Sequence, residues 1–490
     1  MKIKPSKKRQ KIVATILYLF LMFNYSWSQA LPFEIKNNSP YPDSAIYVAI
    51  VGRNATQNIF VDLKTGVQNP MNTSYNTING YADCFTKLSD IPNKKISLNK
   101  ISGCRVFISK GSQMYLKFFG PNDGYAGPNP DNPSDPNNGI LYEFIELTYD
   151  NIGIWTNTTR VDSYNYPMGI ELFGTTPYQK RGELKSHSKN GIDFIANAPI
   201  EFQGCYNPTT GQIRFPAKTA AFSSTGAYKD YMKPYIDAIW EKYKNEDLIF
   251  NTGERGIFKG RVINEQLIMV SQDDFYWKGL QAIVDRRPTT VEAFEGRGPL
   301  NQQISIVDNL IDTYVQARIC AAINRHAINV TTPNVGLQDL MNSSKFYLEL
   351  PYNYYAKYWH EANVSVNGLS YGFAYDDVAD QSSTLFTTTP SKLIVTFGGF
   401  STDPLGTVPN EIGKTNLFSF YPNPVATELN VANKTNQPID KIAIIDILGS
   451  TVFEQKGNVQ KVDVQKLTKG MYIIQVTSEG ETYIDKFIKK

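Results

Sequence analysis

Two carboxylates sixteen residues apart, Glu146 and Asp162, stand in the stretch ILYEFIELTYDNIGIWTNTTRVDSYNYPMGIEL, residues 140 to 171. Two such groups can divide the labour of hydrolysis, one protonating a leaving oxygen while the other activates water. They could equally be solvated charges on a β-sheet. In an extended run Tyr142, Phe144, Glu146, Thr148 and Asp150 share one face, and Glu143 lies on the other. Glu146 is therefore expected among aromatic and hydroxyl companions, an apolar and partly desolvated setting that favours a protonated acid. Asp162, beside Arg160 and Ser163, is expected to stay ionised.

Other chemistries find little support. The three histidines, His187, His326 and His360, have no partner at metal-ligand spacing. No nucleophile motif and no phosphate loop is present, so neither metal nor cofactor is expected. Residues 121 to 139, PNDGYAGPNPDNPSDPNNG, are rich in aspartate, but their spacing fits no calcium loop and Pro133 interrupts the series. A rigid surface loop bordering a site is the expected reading.

Strands must position the two carboxylates. AIYVAIVG, FVDLKTG, KISLN, CRVFISKG and QMYLKFF are short runs rich in Val, Ile, Tyr and Phe, bounded by turn residues. They predict a sandwich or barrel over residues 31 to about 205. Near residue 215 the pattern changes. Tyr231, Tyr235, Ile236, Ile239 and Tyr243 recur at helical intervals, and residues 302 to 326 repeat this over a longer span. With strand candidates between them, residues 206 to 385 read as a mixed α/β insertion. SKLIVTFGGF then returns to strand character, giving a β-domain of about 31–205 and 386–403 with a groove against the insertion. A polar linker is expected at 406–416. Alternation in Lys461–Leu467 and Tyr472–Val476, with turns at Gly449 and Gly480, predicts a small separate β-sandwich over 417–490.

At 490 residues the chain is long enough for two or three such domains. A basic region, a short apolar core and small residues before Gln29 read as a signal peptide over residues 1 to 28. Removing it, with six basic side chains and no acid, takes the formal charge from +3 to −3. A mildly acidic remainder argues against a nucleic-acid partner, and no later stretch is long enough to span a membrane. In an oxidising compartment Cys84, Cys104, Cys205 and Cys320 allow two disulfides in three pairings, with Cys84–Cys104 the expected bridge. Aromatics make up 13% of the residues, suited equally to a sugar groove and to a β-protein core.

Two resemblances sharpen this reading. Tyr421-Pro422-Asn423-Pro424, then Leu467 and Gly470-Met471-Tyr472, and the basic end Lys486, Lys489 and Lys490, resemble the C-terminal sorting domain of the type IX secretion system. That implies export across the outer membrane of a Gram-negative bacterium, removal of the domain on the way, and a secreted or surface-associated product. LPFEIKNNS, FIEL at 144–147, AAINR at 321–325 and NYYAKYWHEA at 353–362 resemble glycoside hydrolase family 64, β-1,3-glucanases built on a thaumatin-like β-domain. The likeness covers most of residues 31 to 400, within an expected catalytic region of 29–405. NGLSYGFAYDDVADQSSTL, residues 367 to 385, is similar to the closing segment of thaumatin-like proteins, where Asp376 and Asp377 are read as mainly structural.

The resemblance implies Glu146 as general acid on one strand and Asp162 as base on a following strand, acting with inversion on β-1,3-glucan. Inversion needs the carboxyls roughly 6.5–9.5 Å apart so that water fits between them, against about 5 Å for retention. It places groove-lining residues around Thr148 and Trp155, with Asp150 able to bond sugar hydroxyls. Trp155 in a sandwich core is the bland alternative. Tyr354 stands where the family carries His, which leaves His360 and Glu361 as candidates for that contact. A monomer is expected. The rival class is a noncatalytic β-glucan-binding surface protein on the same fold.

Overall fold

The computed structural model describes residues 30–401 and 418–490, apart from 130–131, 133, 176–177, 434–437, 447–450 and 479–480. The signal peptide, the linker at 406–416 and the turns at Gly449 and Gly480 lie outside the described residues.

Period-two alternation builds the first unit. In the strand Leu141–Tyr149, Ile145 and Leu147 are buried while Glu146 and Thr148 on the opposite pleat are only half-buried. This strand lies in an eight-stranded sheet. It runs from Leu385–Thr387 through Ile154–Thr158, Leu141–Tyr149, Ile101–Lys110 and Ile46–Arg53 to two short edge strands, with Thr86–Lys87 attached to Ile46–Arg53. A five-stranded sheet faces it, with Pro390–Phe397 lying between Met168–Gly174 and Leu31–Asn37. Ile50, Val106, Ile145 and Leu147 from one sheet interlock with Phe33, Ile35, Ile170 and Val395 from the other. The parallel pairing of Phe33 with Leu393 closes the unit, because the chain returns after a long excursion to its first strand.

That excursion has its own core. Tyr235, Ile236, Ile239, Trp240 and Tyr243 form the buried stripe of the helix Lys233–Asn245. They pack with Phe250 and Phe258 of a second five-stranded sheet, with Phe194 and Phe202 of the helices His187–Asn197 and Ile200–Gln203, and with Tyr355 and Trp359. The second helix is shorter than the sequence pattern suggests, spanning Leu310–Asn324. Its buried Asp312 accepts the backbone N–H groups of Ile283, Ile304 and Ser305, which holds residues 304–305 as a loop against the sheet. Ile306 and Val307 are left exposed.

In the C-terminal unit a three-stranded and a four-stranded sheet enclose one core of Leu429, Val431, Ile442, Ile444, Ile474, Val476 and Phe487. Among the described residues no helix is long and apolar enough to cross a membrane.

The expected Cys84–Cys104 bridge is not formed, and all four cysteines are free and buried. Cys104 points into the core between the two sheets, whereas Cys84 belongs to the apolar cluster on the outer face of the eight-stranded sheet. The sheet itself separates them. Burial pushes all four thiols well up, so they are poor nucleophiles. A thiol reagent should therefore titrate them only after denaturation, and reductant should leave the melting temperature unchanged.

Candidate active site

Pairing register places Glu146 on the sheet face that points away from the inter-sheet core. Its cross-strand neighbours are Arg105 on one side and Asn157 on the other. One step along the same face, Thr148 lies opposite Trp155, and Trp155 opposite Phe386. Arg105 directs both Nε and Nη2 to Oε1 of Glu146, each at 3.3 Å, and stacks its guanidinium over the Phe144 ring at 4.8 Å. The Arg105 and Glu146 side chains are 44% and 42% exposed. The apolar, desolvated setting expected for Glu146 is thus corrected. An aromatic ring flanks it on its own strand, but the adjacent strand supplies a cation and the face is open to solvent.

Asp162 is exposed and lies in a bend, not within a strand, immediately before the short strand Ser163–Tyr164. The chain leaves the sheet after Thr158 and is clamped there. The Arg160 N–H donates to the Tyr371 carbonyl at 2.8 Å, the Tyr355 hydroxyl donates to the Arg160 carbonyl at 2.6 Å, and the Phe215 N–H donates to the Asp162 carbonyl at 3.2 Å. A small cleft brings Asp162 together with Tyr142, Phe144 and Thr159. Burial first, then the Asp162 and Glu143 carboxylates, push the Tyr142 phenol up. Glu146 follows Phe144 on the same face by one pleat repeat, about 6.8 Å along the strand. Asp162 therefore lies beside the strand that carries Glu146, next to its residues 142–144.

Arg160 does not accompany Asp162, as the sequence suggested. It turns inward, fully buried, and bonds Glu143 at 2.6 Å and both oxygens of Glu183 at 2.9 and 2.7 Å, with the rings of Tyr164 and Trp359 nearby. Glu143 in turn accepts the N–H groups of Asn165 and Tyr166, and Glu183 accepts that of Met168. The corner carrying Asp162 is thus wrapped around one guanidinium shared by two carboxylates. Burial outweighs Arg160 and the backbone donors, and with Glu183 close by pushes the Glu143 carboxyl up to about 7. A raised acid pKa means that the folded chain holds a proton the unfolded chain has released. Its contribution to stability is complete below the unfolded value of about 4.5 and is lost as pH rises through about 7. Glu143→Gln should flatten the fall in melting temperature over that window, which thermal scans across pH would reveal.

The remaining candidates separate. Thr148 Oγ1 accepts the Gly103 N–H at 3.3 Å on the open face. Trp155 stacks on Phe386 with centroids 4.6 Å apart on that same face, outside the inter-sheet core. Asp150 leaves the strand and accepts the Ile152 and Gly153 N–H groups, closing a turn. His360 is almost fully buried, with its ring nitrogens 2.9 Å from the Gly368 carbonyl and 2.8 Å from Asp376, so it braces the closing segment and does not line the open face. Glu361 pairs with Lys357 at 3.3 Å on the surface. Tyr354 is buried, its hydroxyl donating to the Phe194 carbonyl. Asp376 is a buried hub for Arg325, His360 and the Gly372 N–H. Burial alone would raise its carboxyl, but His360 and Arg325 hold it below the ordinary value. No cluster among the described residues could hold a metal ion.

The structure adds two residues that one-dimensional reading missed. Arg105 interrupts a buried strand between Cys104 and Val106, a signal visible in CRVFISK once the strand is paired with FIEL. Asn157 faces Glu146 with Oδ1 buried and without a hydrogen-bond partner.

Comparison with known proteins then places the chain. Residues 29–397 match the β-1,3-glucanase family, and residues 419–490 match the secretion system C-terminal sorting domain. A glucan endo-1,3-beta-glucosidase of Cellulosimicrobium cellulans is 26% identical over 324 residues, 64% of this chain and 55% of that protein. The chain thus spans about half the length of this curated relative. The crystal structure of a β-1,3-glucanase domain (GH64) from Clostridium beijerinckii is 32% identical with a TM-score of 0.66, covering 76% of this chain and 98% of that one. The laminaripentaose-producing β-1,3-glucanase of Paenibacillus barengoltzii, complexed with laminarihexaose, is 27% identical with a TM-score of 0.57 and 76% coverage of each. From its first strand to the strand that returns to pair with it, this chain belongs to the β-1,3-glucanases of glycoside hydrolase family 64, followed by a secretion sorting domain.

Proposed function

We propose that the chain hydrolyses β-1,3-glucan, with Glu146 as general acid and Asp162 as general base. The observation that supports this is Glu146 on the open face of the Leu141–Tyr149 strand, with the bend that carries Asp162 lying beside Tyr142 and Phe144 of that strand, in the family's fold. Glu146 protonates the glycosidic oxygen and the bond to the anomeric carbon breaks. Asp162 takes a proton from water, whose oxygen bonds that carbon from the opposite face, so the configuration inverts. Room for that water requires the two carboxyls to stand roughly 6.5–9.5 Å apart. Trp155 and Phe386 offer apolar surface to a glucose ring, and Thr148 and Asn157 face its hydroxyls. In this reading the two-sheet unit is thaumatin-like, the mixed α/β unit walls the groove, and the monomer acts alone. Residues 417–490 direct the chain through the type IX machinery to the outside or the cell surface.

The noncatalytic glucan-binding reading has one observation in its favour, the Arg105–Glu146 ion pair, since a carboxylate so engaged is not yet a proton donor. Incubation with linear β-1,3-glucan separates the two. New reducing ends support hydrolysis, whereas binding without new ends supports the module.

A further inference from the structure

The guanidinium beside Glu146 needs a physical account, because a general acid must arrive protonated and a cation at hydrogen-bonding distance opposes that. Arg105 comes from the adjacent strand, directly opposite Glu146 in register. Its two donors converge on a single oxygen, Oε1, and among the described residues Oε2 receives no hydrogen bond. Arg105 has no second carboxylate partner among the described ion pairs, and its plane is fixed over Phe144. A bond to one oxygen by two donors defines which oxygen can carry a proton. Oε1 faces donors only, so a proton on Glu146 sits on Oε2.

We infer that Arg105 is the positioning residue of the proton donor: it holds Oε1, directs the proton-bearing Oε2 toward the glycosidic oxygen, and stabilises the carboxylate left when the proton departs. The inference rests on the reading of Glu146 as the acid. As the O–H bond of Glu146 breaks and the proton joins the leaving oxygen, negative charge develops on a carboxylate already 3.3 Å from a cation. In open solvent such a half-exposed pair contributes little. When a glucan chain covers the face and excludes water, the same contact strengthens. Arg105 thus acts on the charge that develops as the proton leaves. The other groups facing Glu146 carry no countercharge in reach of the same oxygen. Tyr125 on the Gly124–Ala126 strand, itself hydrogen-bonded to Arg105, and Tyr371 on the closing segment are phenols that burial pushes up, Asn157 is neutral, and Asp162 lines the cleft with Tyr142 and Phe144.

The test is a set of pH–rate profiles on soluble linear β-1,3-glucan for the full chain and for Arg105→Gln, Arg105→Lys and Glu146→Gln. Arg105→Gln should lower kcat about 10- to 100-fold across the profile, with KM little changed. Arg105→Lys should restore part of the loss. A change in KM alone, or no recovery in Arg105→Lys, overturns the inference and makes Arg105 a sugar-contact or packing residue. If Glu146→Gln is inactive while Arg105→Gln matches the parent, this inference alone fails. If Glu146→Gln keeps parental activity, the assignment of the acid fails and takes the inference with it.

Discussion

Glu146→Gln is expected to lower kcat on linear β-1,3-glucan by roughly a thousandfold or more while leaving the fold intact, since positioned acid catalysis contributes typically 10²–10⁴-fold. Glutamine matches the shape of glutamate and its amide oxygen can still accept from Arg105, so the sheet face keeps its geometry. It has no proton to give at the pH of the reaction. Because Glu146 is half-exposed and outside both cores, its replacement should move the melting temperature by no more than a degree or two. Asp162→Asn should cause a loss of the same order, because water then lacks its proton acceptor. Reducing-end assays give kcat, and calorimetry with a laminarioligosaccharide gives binding. Loss of binding in parallel with kcat would place Glu146 in sugar recognition and not in proton transfer.

The second large effect lies behind the site. At pH 8, above the Glu143 value, Arg160→Met should destabilise the chain by about 3–5 kcal/mol, because it leaves Glu143 and Glu183 buried with no cation between them. Methionine fills much of the stem volume, so the loss arises from stranded charge and not from a cavity. The same substitution frees the corner from Thr159 to Met168, which carries Asp162 and whose backbone donors bond those two carboxylates. Activity should therefore fall before global unfolding is reached. Combining Arg160→Met with Glu143→Gln and Glu183→Gln should recover a large part of the stability without recovering the activity. Denaturant midpoints for the single and triple variants check this. A single variant as stable as the parent would mean that the cluster does not hold the corner.

Legibility from sequence followed the range of the interactions. The outward face of Glu146 was readable because strand alternation is local, and burial alternates from Ile145 to Tyr149. The buried stripe of Lys233–Asn245 was readable for the same reason with a helical period. The start of the next helix was not, since a buried carboxylate, Asp312, captures backbone donors from a loop and from another strand. The setting of Asp162 depends on Tyr355 and Tyr371, some two hundred residues away, and no local pattern encodes that clamp. Cys84 and Cys104 are near in sequence, but the sheet between them only exists after pairing. Asp150 is the instructive case within reach. Asp followed three residues later by Gly153 is a turn signature, and its carboxylate closes that turn. His360 shows the converse, a polar residue in a family-like segment whose partners Gly368 and Asp376 come from the same closing stretch.

The most direct measurement is proton NMR of a soluble linear β-1,3-glucan, recorded from the first minutes after the full chain is added. New reducing-end signals should appear first as the α-anomer and then equilibrate, as inversion at a β-linkage by Glu146 and Asp162 requires. First appearance of the β-anomer would contradict the acid–base roles assigned to the pair, and bound glucan with no new reducing ends would contradict catalysis itself.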